Sequence, residues 1–330
     1  MKLDIGRREF VTALGCATAT WPLAALAQGP RRIPKIGVLW HAGSAEQEAP
    51  YFGSLIEGFR SLGYAEGSIA LEHRFPNEKP ELFASMAAEL VSLKPDVLVA
   101  VASAAPYAKD ATATIPIVFM YVADPIGAKL VDNIRRPGGN ITGLTNFSVE
   151  LSAKRLEFLK EIVPSLSRVA LLVNPNANIS KLYIEQSNAA GPKLGLTTQA
   201  YQVQSLSELE KAFDAMVRDG MQAVVVNAES LFYQGKGEIA KLAVARRLPT
   251  CVWVKEVLEA GALVSYGADQ HAIARRVAAY VDRILKGEKP GDMPVEQPTR
   301  FYLDINLKTA KVLGLTVPLV MQMTADEVIE

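Results

Sequence analysis

Apolar residues along the chain fall into short unbroken runs, each followed by a longer stretch in which they recur every three or four positions. Five runs come first, at residues 36–40, 69–75, 97–102, 117–122 and 141–144. Five more follow, at 169–174, 198–203, 223–227, 250–254 and 263–266. Continuous Val, Ile and Leu without alternation is the pattern of parallel strands covered on both faces, and the intervening periodic stretches supply crossover helices. The pattern predicts an α/β fold of two doubly wound, Rossmann-like lobes. One helix is read in detail, over 269–286: Ile273, Val277, Val281, Ile284 and Leu285 share a stripe, Arg275, Asp282 and Arg283 lie off it, and Gly287 stops it. Pro137-Gly138-Gly139-Asn140 forms a turn, and residues 142–148 behind it are the expected first passage between lobes.

The first thirty residues break this pattern. Lys2, Arg7 and Arg8 precede a stretch, 10–30, with no ionisable side chain, ending in Ala25-Leu26-Ala27. Residues 1–27 therefore read as a cleavable export signal, cut after Ala27. Arg7-Arg8-Glu9-Phe10-Val11 follows the twin-arginine pattern. Thr12, Thr18, Thr20 and Pro22 make the stretch poorly apolar for a permanent membrane anchor.

Composition narrows the possible functions. At 330 residues the chain has room for two domains, as the runs suggest. Thirty-five basic residues balance thirty-five acidic ones, and removing the signal leaves 32 against 33, so the broad cationic field that holds nucleic acid is missing. The only cysteines are Cys16, in the signal, and Cys251, in an apolar run where a buried, unreactive thiol is expected. No nucleotide-binding glycine loop, nucleophile elbow or zinc-protease motif occurs, so neither cofactor nor metal is expected. His41 with Glu46 and Glu48 reads as a solvated turn. His271 and Asp269, two residues apart, read as facing different sides of a helix.

Candidate chemistry collects where open α/β sheets bind ligands, just beyond the C-terminal ends of the strands. In the first half these positions are Trp40, His41, Ser103, Ala104, Tyr121 and Asp124; in the second they are Asn174, Asn227, Glu229, Trp253, Tyr266 and Asp269. Each alone also fits a core lid or a helix cap. Two facing sheets would aim them into one cleft, where helix N-termini favour an anionic ligand group. Both tryptophans of the processed chain, Trp40 and Trp253, are expected there.

Asp124-Pro125-Ile126-Gly127-Ala128, with Arg136-Pro137-Gly138-Gly139-Asn140-Ile141-Thr142-Gly143-Leu144, resembles the signature of ABC-transporter substrate-binding proteins related to the tryptophan-uptake protein TrpX. Leu151-Ser152-Ala153-Lys154-Arg155-Leu156-Glu157, the stretch from Arg168 to Pro175, Ala262-Leu263-Val264-Ser265-Tyr266-Gly267 and Leu285-Lys286-Gly287-Glu288-Lys289-Pro290 extend the resemblance along the processed chain. It implies a type I periplasmic-binding-protein fold: 33–146 with 267–289 in one lobe, 147–266 with 290–330 in the other, and crossings near Asn146, Tyr266 and Lys289. It further implies a monomeric periplasmic protein, not an enzyme, that closes on a small carboxylate-bearing ligand, an amino acid or an aromatic or organic acid. An inner-membrane permease would be its partner. Ser103 would hold the carboxylate; Trp40, Tyr121, Trp253 and Tyr266 would line aromatic surface; Asp124, Glu229 or Asp269 would meet an amine or hydroxyl. Ala102-Ser103-Ala104-Ala105-Pro106 stands where relatives often carry a Thr-Pro loop. An extracytoplasmic sensor and an α/β enzyme are the alternative readings.

Overall fold

The computed structural model describes residues 32–330 apart from 50 and 178, so the export-signal reading of 1–27 and Cys16 lie outside the described residues. The first sheet contains β1 (Lys35–Leu39), β2 (Ala70–Arg74), β3 (Val97–Val101), β4 (Ile117–Met120) and β5 (Ile141–Leu144). Its order is β2-β1-β3-β4-β5, with every pairing parallel. The second sheet contains β6 (Arg168–Val173), β7 (Thr197–Gln202), β8 (Ala223–Val226), β9 (Thr250–Val252), β10 (Val264–Ala268), β11 (Phe301–Asn306) and β12 (Glu327–Ile329). Its order is β12-β11-β10-β9-β8-β6-β7, parallel except where β11 runs against β10. Each of the ten apolar runs holds a strand. Both sheets repeat the doubly wound order in which the chain reverses beside the first strand, between β1 and β3 and between β6 and β8, which opens a crevice at the strand ends.

Burial explains the unbroken runs. Val97, Val99 and Val101 pack under the helices Tyr51–Ser61 and Gln270–Leu285, while Leu98 and Ala100 of the same strand pack under Pro80–Ser92. With both faces dry, no position along β3 can be polar. The second sheet is covered in the same way, with Val224 and Val226 on one face and Ala223 and Val225 on the other. Cys251 is buried there, as expected, and burial pushes its thiol up to about 12.

The chain passes between the sheets three times. The first passage follows β5 and contains Phe147 with a left-handed φ of 56°. The second comes later than Tyr266, because β10 continues through Gly267 and Ala268, which pair with Tyr302 and Phe301. The helix Gln270–Leu285 then returns to the first sheet, capped by the Asp269 side chain. The third passage also moves downstream. Residues 291–296 stay on the first lobe: Gly291 O accepts from Gly138 N, Met293 O from Thr142 Oγ1, and Glu296 O from Thr145 N. The crossing expected near Lys289 thus falls between Glu296 and β11.

Arg155, in the helix Ser152–Ile162, is 1% exposed and ties the first passage to β10 just before the second. Its Nη1 donates to Ser148 O at 2.8 Å and its Nε to Tyr266 O at 3.0 Å.

Candidate functional site

The strand ends of the two sheets enclose a cavity of about 650 Å³, within the range of small-ligand sites. From the first lobe it is lined by His41 after β1, Glu78 after β2, Ser103 after β3 and Tyr121 and Asp124 after β4; from the second, by Ala228, Glu229 and Ser230 after β8 and Trp253 after β9. Asn146 and Ser148 of the first passage line its hinge side. The strand ends turn sharply: Ala102 and Tyr121 have φ of 48° and 62°, a region that costs a side-chain-bearing residue free energy and that recurs at binding sites. The Tyr121 hydroxyl, held by Gln270 O at 2.7 Å, fixes that ring against Tyr51, whose ring in turn meets Tyr233.

Carboxylates dominate the polar end. Glu48, 1% exposed, accepts at Oε1 from His41 N, Ala42 N and His41 Nδ1, the last at 2.6 Å, while its buried Oε2 has no partner. Burial pulls His41 down, but the Glu48 carboxylate overrides this and the imidazole is pushed up to about 9. Because this value lies above the ordinary 6.5, the pair's stabilisation is full below that pH and is lost as pH rises through about 9. Glu48→Gln keeps an acceptor oxygen but removes the charge. It is expected to cost on the order of 2 kcal/mol near neutral pH and much less above about pH 9.5. Melting curves across that interval check this, and a loss independent of pH would contradict it.

Glu78 reaches across the cleft. Its Oε2 accepts from Ser103 Oγ at 3.2 Å in its own lobe, and its Oε1 accepts from Ser230 Oγ of the other. Glu229 caps the helix Ser230–Gln234 through Leu231 N at 2.8 Å. Burial, and then the nearby Glu78 carboxylate, push Glu229 up to about 7. Tyr233 Oη to Ala49 O at 3.2 Å and His271 Nε2 to Glu256 Oε1 at 2.8 Å also join the lobes.

Of the residues singled out from the sequence, His41, Ser103, Tyr121, Asp124, Glu229 and Trp253 share this cavity. Trp40 does not. It continues the inward face of Ile36 and Val38, is fully buried, donates from Nε1 to His73 Nδ1 at 3.0 Å and stacks on Phe75. Ala104 is buried in the turn Ala102–Ala104. Tyr266 packs between Phe158 and Phe301. Asn174 and Asn227 are buried behind the wall, where Asn174 Oδ1 accepts from Asn176 N. Asp269 is spent on Ala272 N as a helix cap and faces a second cavity of about 380 Å³, with Trp253 between the two.

Two expectations about chemistry change. The hydroxyl expected to hold a ligand carboxylate, Ser103 Oγ, holds the protein's own Glu78. The turn at His41 is not solvated, because Glu48 folds under it. Glu48, Tyr51, Glu78, Ser230 and Tyr233 were not legible as site residues: none directly follows an apolar run, and Ser230, three residues past one, reads as a helix start. Glu78 carried one local signal, the polar stretch from Pro76 to Pro80 immediately after a strand. His271, read as turned away from Asp269, instead joins Ser54 and Glu256. Among the described residues no group of three or more His, Cys, Asp or Glu is placed to hold a metal ion.

Comparison with known proteins agrees with this architecture. The family model described as ABC transporter substrate binding protein matches residues 44–329. A curated tyrosine-binding protein of Clostridioides difficile is 24% identical over 276 residues, covering 83% of this chain and 77% of that protein. The crystal structure of an ABC domain in complex with L-Trp from Streptococcus pneumonia is 26% identical, with a TM-score of 0.83 over 90% of this chain and 99% of that one. A conserved domain protein from Vibrio cholerae is 27% identical, with a TM-score of 0.84 over 90% and 100%. These neighbours share the type I periplasmic-binding-protein fold, and with the family match spanning most of its length the chain belongs to the ABC transporter substrate-binding proteins.

Proposed function

We propose that this protein captures an aromatic amino acid in the cavity between its lobes by hinge closure, without chemical conversion, and presents it to the permease of an ABC importer from the periplasm. Family membership carries the coarser statement, a small-molecule ligand and a permease partner. The observation that carries the finer one is the composition of the cavity: aromatic walls from Tyr51, Tyr121, Tyr233 and Trp253, with Glu48, Glu78 and Glu229 gathered about His41. An aromatic side chain gains by burial against such walls, and an α-ammonium gains from the carboxylates. The relatives named as binding tyrosine and as holding L-Trp support the same class. A ligand touching both lobes favours closure by its difference in affinity between closed and open forms.

The test uses one tryptophan as reporter. In a Trp40→Phe protein lacking residues 1–27, Trp253 is the remaining tryptophan, so emission under tryptophan-selective excitation reads the cavity alone. Titration with L-tyrosine is expected to shift that emission with a micromolar Kd, and small-angle scattering is expected to show compaction. The absence of any shift or of thermal stabilisation with L-tyrosine, L-phenylalanine and L-tryptophan would reject the ligand class. Turnover of any of them would reject pure capture.

A further inference from the structure

Glu78 and Glu229 come from opposite lobes, yet the Glu78 carboxylate bonds the hydroxyl of Ser230, the residue next to Glu229, and both side chains face the same cavity. One imidazolium, His41, faces three carboxylates here, Glu48, Glu78 and Glu229. His41 favours the charged forms of both carboxylates and a hydrogen bond from Asn174 favours that of Glu229, but the His41 Nδ1 is engaged by Glu48, and Lys181 lies 3.9 Å from Glu185. Tyr51, Tyr121 and Tyr233 are neutral there, burial holding each phenol above its ordinary value. Two like charges in a half-buried cleft repel unless a cation lies between them.

We infer that Glu78 and Glu229 form a two-carboxylate seat for a single cation, filled by a proton in the empty protein and by the ligand's protonated primary amine in the complex. The exchange balances: one ammonium enters and one proton leaves. This rests on the amino-acid reading above and sharpens it, because the cavity then selects for the amine and couples closure to its presence. Glu229 titrating near 7 agrees with a proton held at the seat.

Titration calorimetry with L-tyrosine, in two buffers of different ionisation heat, reads the exchange. At about pH 6.5 binding is expected to release about three quarters of a proton, falling to about a tenth at about pH 8, a full unit below the value of about 9 for His41. Affinity should weaken up to tenfold per pH unit on acidification below about 6.5. Glu229→Gln should abolish the release. 3-(4-Hydroxyphenyl)propionate, which lacks the amine, should bind at least a hundredfold more weakly than L-tyrosine at about pH 8.5 and should recover tenfold or more at about pH 6. Equal proton release in wild type and Glu229→Gln, or none in either, overturns the seat.

The ligand-free protein decides the matter separately. The Glu229 carboxyl carbon resonance should titrate near 7 in the wild type and at least one pH unit lower in Glu78→Gln. An unmoved midpoint overturns the seat whatever binds. A moved midpoint, with no binding of L-tyrosine or L-tryptophan at any pH, upholds the seat and rejects the amino-acid reading.

Discussion

Gly267→Ala is expected to damage folding and the cavity wall together, with a loss of about 3 kcal/mol in urea unfolding and an altered Trp253 emission spectrum. A Cβ at this position would lie 2.0 Å from Trp253 O and 3.1 Å from its carbonyl carbon, so it meets backbone and not a flexible side-chain end. Gly267 is held by pairing with Tyr302, and Trp253 directly follows β9, the parallel neighbour of β10. Relief requires β10 and the chain after β9 to part, which moves the ring that separates the two cavities. The control is Gly53→Ala in the helix Tyr51–Ser61, where an added Cβ meets nothing within 4 Å. That change should stabilise by about 0.5 kcal/mol, since alanine restricts the unfolded chain and favours helix. Equal effects at the two glycines would contradict the argument.

Arg155→Ala is expected to cost about 3–5 kcal/mol, from the cavity left behind and the loss of a donor to the carbonyls of Ser148 and Tyr266. The guanidinium is fully buried, and the contacts that hold it are the carbonyls of Ser148 and Tyr266. Burial pulls its pKa down, so the charge itself is a burden that the two hydrogen bonds offset. Arg155→Met separates the contributions: it fills much of the space and removes the desolvated charge, yet leaves both carbonyls without this donor. We expect it to unfold at lower denaturant than wild type but higher than Arg155→Ala. Because Ser148 lies on the first passage and Tyr266 in β10 just before the second, both variants should also broaden the distribution of interlobe distances measured between spin labels. A methionine variant as stable as wild type, with an unchanged distribution, would show that Arg155 only fills space.

The core of the fold was legible because its physics is local. Parallel strands packed on both faces are mostly apolar, so β1 to β10 stood out as runs, the edge strands β2 and β7 carrying the most polar positions among them. The two strands that escaped notice are those the same rule does not govern. Phe301–Asn306 carries Asp304 and runs antiparallel, and Glu327–Ile329 is a three-residue edge. The passages shifted for a related reason. Residues 291–296 have no strand or helix period, and their backbone bonds to Gly138, Thr142 and Thr145 decide where they belong.

The site was half legible. Position just after a strand is a sequence property, and it found His41, Ser103, Tyr121, Asp124, Glu229 and Trp253. Direction is not: Trp40 occupies the same kind of position, but strand alternation carries it inward to His73 and Phe75. Glu48 and Glu78 come from a short helix and a loop, where only folding back against His41, Ser103 and Ser230 gives them a role.

The sequence by itself thus determined the α/β class, the doubly wound halves, the helix starting at Asp269 and the family resemblance, since each depends on neighbours along the chain. The tertiary structure alone decided which polar groups meet. Glu78 lies 152 residues from Ser230, and Arg155 lies 111 from Tyr266. The first contact arises from how the two sheets face each other and the second from a helix packing on β10 of its own sheet, and no periodicity along the chain encodes either.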